Sequence, residues 1–98
     1  MATSEPKWHP EAILDAEDAR DWYTERSPLA ARGFLLALDE AIRAVLDAPL
    51  QWPLRNDECR HYVFPSHYPY TLIYRLNPVV EVVAVMHQRR HPGYWRHR

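Results

Sequence analysis

From residue 10 to residue 26, apolar side chains fall at Ile13, Leu14, Ala16, Ala19, Trp22 and Tyr23. These mixed steps of three and four predict an amphipathic helix. Pro10 stands at the favoured first position of that helix, and Glu11, Asp15, Glu17 and Asp18 load its early turns with acid that suits the helix dipole. Ser27-Pro28 ends it and starts another, with Ser27 as cap and Pro28 at the first position. The second helix has the cleanest period in the chain: Ala31, Phe34, Leu35, Leu38, Ala41, Ile42, Val45 and Leu46, stopped by Pro49 and Pro53. Helices joined by so short a link predict an antiparallel hairpin.

The second half changes period. Residues 59–64, 70–76 and 79–87 are rich in aromatic and β-branched side chains, and turn signals separate them, Pro65 to Pro69 and Asn77-Pro78. Asp57-Glu58 precede the first of these strands. Three such strands predict an antiparallel meander covered by the helical hairpin. Alternation puts Leu72, Tyr74 and Leu76 on one face with Val80, Val82, Ala84 and Met86. Thr71, Ile73 and Arg75 then share the other face with Glu81, Val83, Val85 and His87. An Arg75–Glu81 cross-strand pair is expected there. Residues 5–9 contain Pro6 and allow at best a brief edge strand.

Ninety-eight residues make one domain, residues 1–98, and 47% hydrophobic with 26% charged excludes a disordered chain. No apolar run approaches the roughly 20 residues that span a bilayer, and Met1 to Pro6 show no basic-then-apolar signal pattern. A lone cysteine, Cys59, excludes an internal disulfide and suits a reducing cytoplasm. The net charge of −1 conceals an asymmetry. Residues 1–58 carry six basic against twelve acidic side chains, whereas residues 59–98 carry six arginines against Glu81 alone. Bulk RNA binders are positive throughout; this chain offers a basic surface on its second half only.

Chemistry concentrates in residues 87–98, His87-Gln-Arg-Arg-His-Pro-Gly-Tyr-Trp-Arg-His-Arg98, with four arginines, three histidines and adjacent Tyr94-Trp95. Such groups grip phosphates, stack on bases or anchor protein interfaces. The same composition also fits a solvated end. His87 and His91 are four apart, but Pro92-Gly93 follow, so no helix aligns them for a metal, and none is expected. Ser4, Ser27 and Ser66 sit at a terminus, a cap and a turn, away from any nucleophile elbow. Two glycines, Gly33 and Gly93, leave no phosphate-cradling loop, and no cofactor is expected. A metal-free phosphodiesterase needs a base, an acid and cations. His87, Arg89, Arg90 and Tyr94 supply those types, and serve equally as a binding patch.

Taken in order, Trp8-His-Pro-Glu-Ala12, Trp22-Tyr23, Ser27-Pro28, Phe34-Leu35-Leu38, Tyr70-Thr-Leu-Ile-Tyr-Arg75 and His87-Gln-Arg-Arg-His-Pro-Gly-Tyr-Trp95 resemble the RelE/ParE toxin superfamily. The nearest likeness is to its ParE-like, plasmid-stabilisation branch. The resemblance implies an α+β fold of order β-α-α-β-β-β, a helical hairpin on a small, mainly antiparallel sheet. It also implies a cytoplasmic bacterial toxin, neutralised by an antitoxin whose acidic C-terminal segment lies over its surface in a hetero-oligomer. It assigns no antitoxin-binding residues here.

Members that cleave mRNA on the ribosome carry lysines on the strand matching residues 59–64. They also carry arginines at the positions of Thr71 and Gln88. This chain has no lysine after Lys7. His87, Arg90 and Tyr94 remain as catalytic candidates, and losing the other cations costs several kcal/mol of transition-state stabilisation. The expectation is therefore a non-catalytic inhibitor that binds a protein such as DNA gyrase. Its target-binding set would be Arg75, His87, Arg89, Arg90, Tyr94 and Trp95. An mRNA endoribonuclease, or an inactive antitoxin-binding module, is the alternative.

Overall fold

A computed structural model describes residues 5–55 and 58–98; Ser4 and Asp57 lie outside the described residues. The order is β1 (Lys7–Trp8), α1 (Pro10–Arg26), α2 (Pro28–Asp47), β2 (Leu54–Arg55), β3 (Cys59–Val63), β4 (Tyr70–Leu76) and β5 (Val80–His87). The strands form one sheet in the order β1-β5-β4-β3-β2, with β1 parallel to β5 and the other pairs antiparallel. The fold is the expected α+β arrangement, enlarged by β2. That two-residue strand follows Pro53, where the sequence reading saw only the end of a helix.

Local chemistry explains the helix ends. The His9 side chain accepts from the Glu11 amide (3.1 Å), and Pro10 occupies the first turn of α1. The Ser27 hydroxyl accepts from the Ala30 amide (3.2 Å), while the Ser27 amide closes α1 on the Tyr23 carbonyl (2.7 Å). One residue thus ends one helix and begins the next. Gly33 on α2 lets Tyr68 approach: a Cβ there would collide with the Tyr68 hydroxyl, which donates to the Ala30 carbonyl (2.8 Å).

The helical hairpin covers one face of the sheet. Phe34, Leu38, Ala41 and Val45 of α2 meet Tyr62, Tyr70, Leu72, Tyr74, Val82 and Val85. Tyr23 stacks on Phe34 with ring centroids 5.5 Å apart. The apolar stripe of α1 is shallower than its period suggested. It buries Ala12 and Ala19, and leaves Ile13, Leu14 and Trp22 at 42, 55 and 51% exposure.

The other face carries a second core of Cys59, Ile73, Val83, Ala84 and Trp95. Strict alternation along β5 fails here. The register slips between Ile73 and Tyr74, so that Ile73 faces Ala84 while Tyr74 faces Val82. The extra residue, Val83, forms a bulge, and a one-residue slip exchanges the faces beyond it. Val85 consequently joins Leu72 under the helices, and Ala84 and Met86 move to the far side, the reverse of the sequence expectation.

Candidate functional site

After β5 the chain does not dangle. Residues 88–98 fold through successive turns, with Arg90 N–H to His87 carbonyl (2.9 Å), Arg96 to Gly93 (3.0 Å) and Arg98 to Trp95 (2.9 Å). Gly93 has φ 134°, in the region that L side chains avoid, and the turn depends on it. The turns lay Trp95 on the far face of the sheet, where it is 5% exposed and its ring meets His61 edge-on at 5.7 Å. Trp95 is thus a core residue with almost no surface to offer a partner.

Tyr94 points the other way, towards α1. Its hydroxyl donates to Asp15 Oδ2 (3.0 Å), as do Arg98 Nη1 (2.7 Å) and the Val85 amide (3.1 Å). Arg98 Nη2 reaches Asp15 Oδ1 (3.2 Å), and Nη1 also donates to the Val83 carbonyl (3.0 Å). β1 pairs only with Glu81 and Val82, so the edge of β5 beyond it would lack partners; the Asp15–Arg98 pair supplies them. Burial and the neighbouring Asp15 carboxylate push the Tyr94 hydroxyl well above the ordinary tyrosine range. Tyr94 therefore keeps its proton at neutral pH and spends it on Asp15.

Between α1 and the end of the sheet lies a groove of about 480 Å³. Asp18, Trp22 and Tyr23 form its helical wall, and Tyr70, His87 and Arg90 the opposite one. His87 Nδ1 accepts from the Arg89 amide (3.0 Å), which leaves the proton of the neutral ring on Nε2. Its ring meets Tyr70 edge-on at 5.1 Å. The Arg90 guanidinium lies 4.0 Å from the centre of the Tyr94 ring, a cation–π contact that leaves its N–H groups exposed. Arg89 is exposed beside it. Asp18 makes no ion pair among the described residues.

The expected site therefore divides. His87, Arg89, Arg90 and Tyr94 come together at the rim of the groove. Arg75 does not join them, because the bulge at Val83 puts His87 on the helix side while Arg75 stays on the far face. There Arg75 Nε bonds Glu81 Oε1 (2.8 Å), the cross-strand pair expected from the sequence, and Nη2 donates to the main-chain oxygen of Arg98 (3.2 Å). Hydrogen bonding to Arg75 holds the Glu81 carboxyl below its ordinary range. Arg75 also lines a recess of about 190 Å³ with Glu58, Cys59, Trp95 and Arg96. Burial raises the Cys59 thiol, which suits an inert core position.

Thr71, the position at which the resemblance implies an arginine in mRNA-cleaving members, is buried. Sequence reasoning missed Asp15 and Arg98 altogether. The available signal was Asp15 itself, an acid on the helical stripe that also holds Ala12, Ala16, Ala19 and Tyr23, where only a paired carboxylate is tolerable. Among the described residues no group of three His, Cys, Asp or Glu side chains is placed to hold a metal ion, and no helix is long and apolar enough to cross a membrane.

A helical hairpin on a mixed five-stranded sheet, closed behind by an arginine-rich aromatic segment, defines a member of the RelE/ParE toxin superfamily. Within it, the family described as "ParE toxin of type II toxin-antitoxin system, parDE" matches residues 7–92, most of the chain, and the chain belongs to that family. Membership makes it the toxin of a type II toxin–antitoxin system and implies a cognate ParD antitoxin. No curated protein matches the chain.

Proposed function

We propose that this ParE-family toxin arrests growth in the cytoplasm by binding a protein target, DNA gyrase being the foremost, and not by cutting RNA. The observation that carries the reading is the commitment of the Tyr94 hydroxyl to Asp15. A tyrosine that serves phosphodiester chemistry must exchange a proton with the reacting oxygens. This one is turned inward, its ionisation is disfavoured, and a carboxylate stands where a phosphate would have to lie. Asp18 in the groove adds repulsion, and the cations needed for a phosphorane-like transition state are reduced to Arg90 and neighbouring Arg89. Those two arginines, with His87 behind them, are the target-binding surface of this reading.

The antitoxin takes a different surface. Ile13, Leu14, Leu35 and Leu36 are large apolar side chains exposed on the helical hairpin away from the groove lining. Apolar residues of the ParD segment would cover them. A neighbouring gene encoding a small protein with an acidic, flexible C-terminal segment is the expected source.

Purified toxin, free of antitoxin, is added to gyrase with relaxed plasmid, and separately to ribosomes programmed with mRNA. Inhibited supercoiling with intact mRNA supports the reading. Ribosome-dependent cleavage with gyrase unaffected overturns it in favour of an endoribonuclease. Inertness in both assays overturns it in favour of a module that only binds antitoxin.

A further inference from the structure

We infer that Asp15 and Arg98 are positioning residues for toxicity: their buried ion pair sets the conformation of residues 88–97 and so the presentation of Arg89 and Arg90, though neither residue touches the target. The inference rests on the binding reading above. The geometry behind it stands independently of that reading.

Residues 88–98 contain no helix or strand. Such a segment keeps one conformation only if side chains tie it down. Three ties are present. Trp95 is driven into the far face of the sheet, Arg75 holds the Arg98 main-chain oxygen, and the Arg98 side chain, 5% exposed, meets Asp15, 9% exposed. The third tie differs in kind. Trp95 fixes depth but permits rotation, whereas a guanidinium fork on two carboxylate oxygens fixes orientation as well as distance. The same fork satisfies the Val83 carbonyl at the unpaired edge of β5. Asp15 also takes the Tyr94 hydroxyl, which sets the plane of the ring on which Arg90 rests. A chain of contacts thus runs Arg98, Asp15, Tyr94, Arg90, from a buried charge to an exposed one. Arg98 falls outside both the span matched by the family, residues 7–92, and the segments that carry the resemblance.

A merely structural pair would affect stability alone. A positioning pair separates two functions of the same folded protein: antitoxin binding through the helical hairpin survives, and target inhibition does not. Arg98→Met keeps the length and apolar stem of the side chain and leaves Asp15 with Tyr94 and the Val85 amide as partners. For Arg98→Met, amide exchange of residues 90, 94, 96 and 98 is expected to accelerate about tenfold or more, with exchange in β4 and β5 little changed. Affinity for the cognate antitoxin should stay within about threefold, while the concentration that halves gyrase supercoiling rises about tenfold or more. Arg98→Lys, which keeps a cation and N–H donors for Asp15 and the Val83 carbonyl but not the planar fork, should recover part of both losses, which guards against a single variant that fails through misfolding.

Unchanged amide exchange in Arg98→Met overturns the inference whatever the gyrase result. Faster exchange with full inhibitory potency overturns the positioning role. If the unaltered toxin itself leaves gyrase untouched, the functional reading is at fault, and growth arrest on induction in cells replaces supercoiling as the readout of the same variants.

Discussion

The two faces of the sheet are closed by opposite means. On one, 37 residues of helix lay a periodic apolar stripe across aromatic and aliphatic side chains, and attraction scales with the area removed from water. On the other, eleven residues without regular structure do the same work with a single tryptophan and a buried ion pair. The first face tolerates small shifts, since hydrophobic packing has no direction. The second does not, because removing either partner of a buried pair leaves a charge in low dielectric. Stability and geometric definition therefore reside in different parts of one small protein.

The comparison breaks most sharply at Phe34, fully buried between Tyr23, Tyr68 and Tyr70. Phe34→Ala should cost about 4 kcal/mol, and because the loss is global, antitoxin binding and growth inhibition should fall together with the urea midpoint. Trp95→Ala is expected to cost about 3 kcal/mol, less than Phe34 because the segment above it can partly collapse into the space. Its signature is local: amide exchange should rise first in residues 88–98 and only later in the helices. Equal protection loss in both regions would contradict the division drawn here.

The periodic side of this comparison was legible in the sequence and the aperiodic side was not. Pro10, Ser27 and Pro28 marked both helix starts, and apolar recurrence from Ala31 to Leu46 named most of the buried face of α2. Alternation placed Leu72, Tyr74 and Val82 correctly because regular strands have a fixed period. It failed from Ala84 onward, beyond the bulge at Val83, since one extra residue changes no composition yet exchanges every later side chain. Leu54–Arg55 was invisible for a similar reason: two exposed residues carry no pattern, and their pairing is decided by β3. At the site, the residue types and the rim position of His87, Arg89 and Arg90 could be read from the chain. The Asp15–Arg98 contact could not, being a pairing across 83 positions that only the folded topology creates.

A smaller effect concerns pH and the far face. His61 is half-buried, its Nε2 has no hydrogen-bond partner among the described residues, and burial, then the charge of Arg55, lowers its proton affinity below the ordinary value of 6.5. The unfolded chain thus binds a proton that the folded one refuses. Stability from this group is complete above pH 6.5 and is lost as the pH falls from there through the lowered folded-state value. Glu81, whose carboxyl is held below 4.5 first by its hydrogen bond to Arg75, adds a second loss beneath that pH. Thermal unfolding followed from pH 7.5 to 5 should show the first decline in the unaltered protein and a flatter course in His61→Phe. Identical slopes would remove His61 from the account.

The most direct test of a toxin that binds rather than cleaves is the removal of one oxygen. Tyr94→Phe keeps the ring beneath Arg90 and leaves Asp15 paired with Arg98, so the expected cost to stability is about 1 kcal/mol. Growth inhibition is measured on induction of equal amounts of the unaltered and Tyr94→Phe proteins without antitoxin, with cellular mRNA followed alongside. Inhibition should fall by no more than about tenfold, because the ring beneath Arg90 loses one tie while the Asp15–Arg98 pair still holds the segment, and neither protein should cleave mRNA, since no proton transfer is being asked of the hydroxyl. Loss of toxicity in a folded Tyr94→Phe protein, together with mRNA cleavage by the unaltered one, would contradict it.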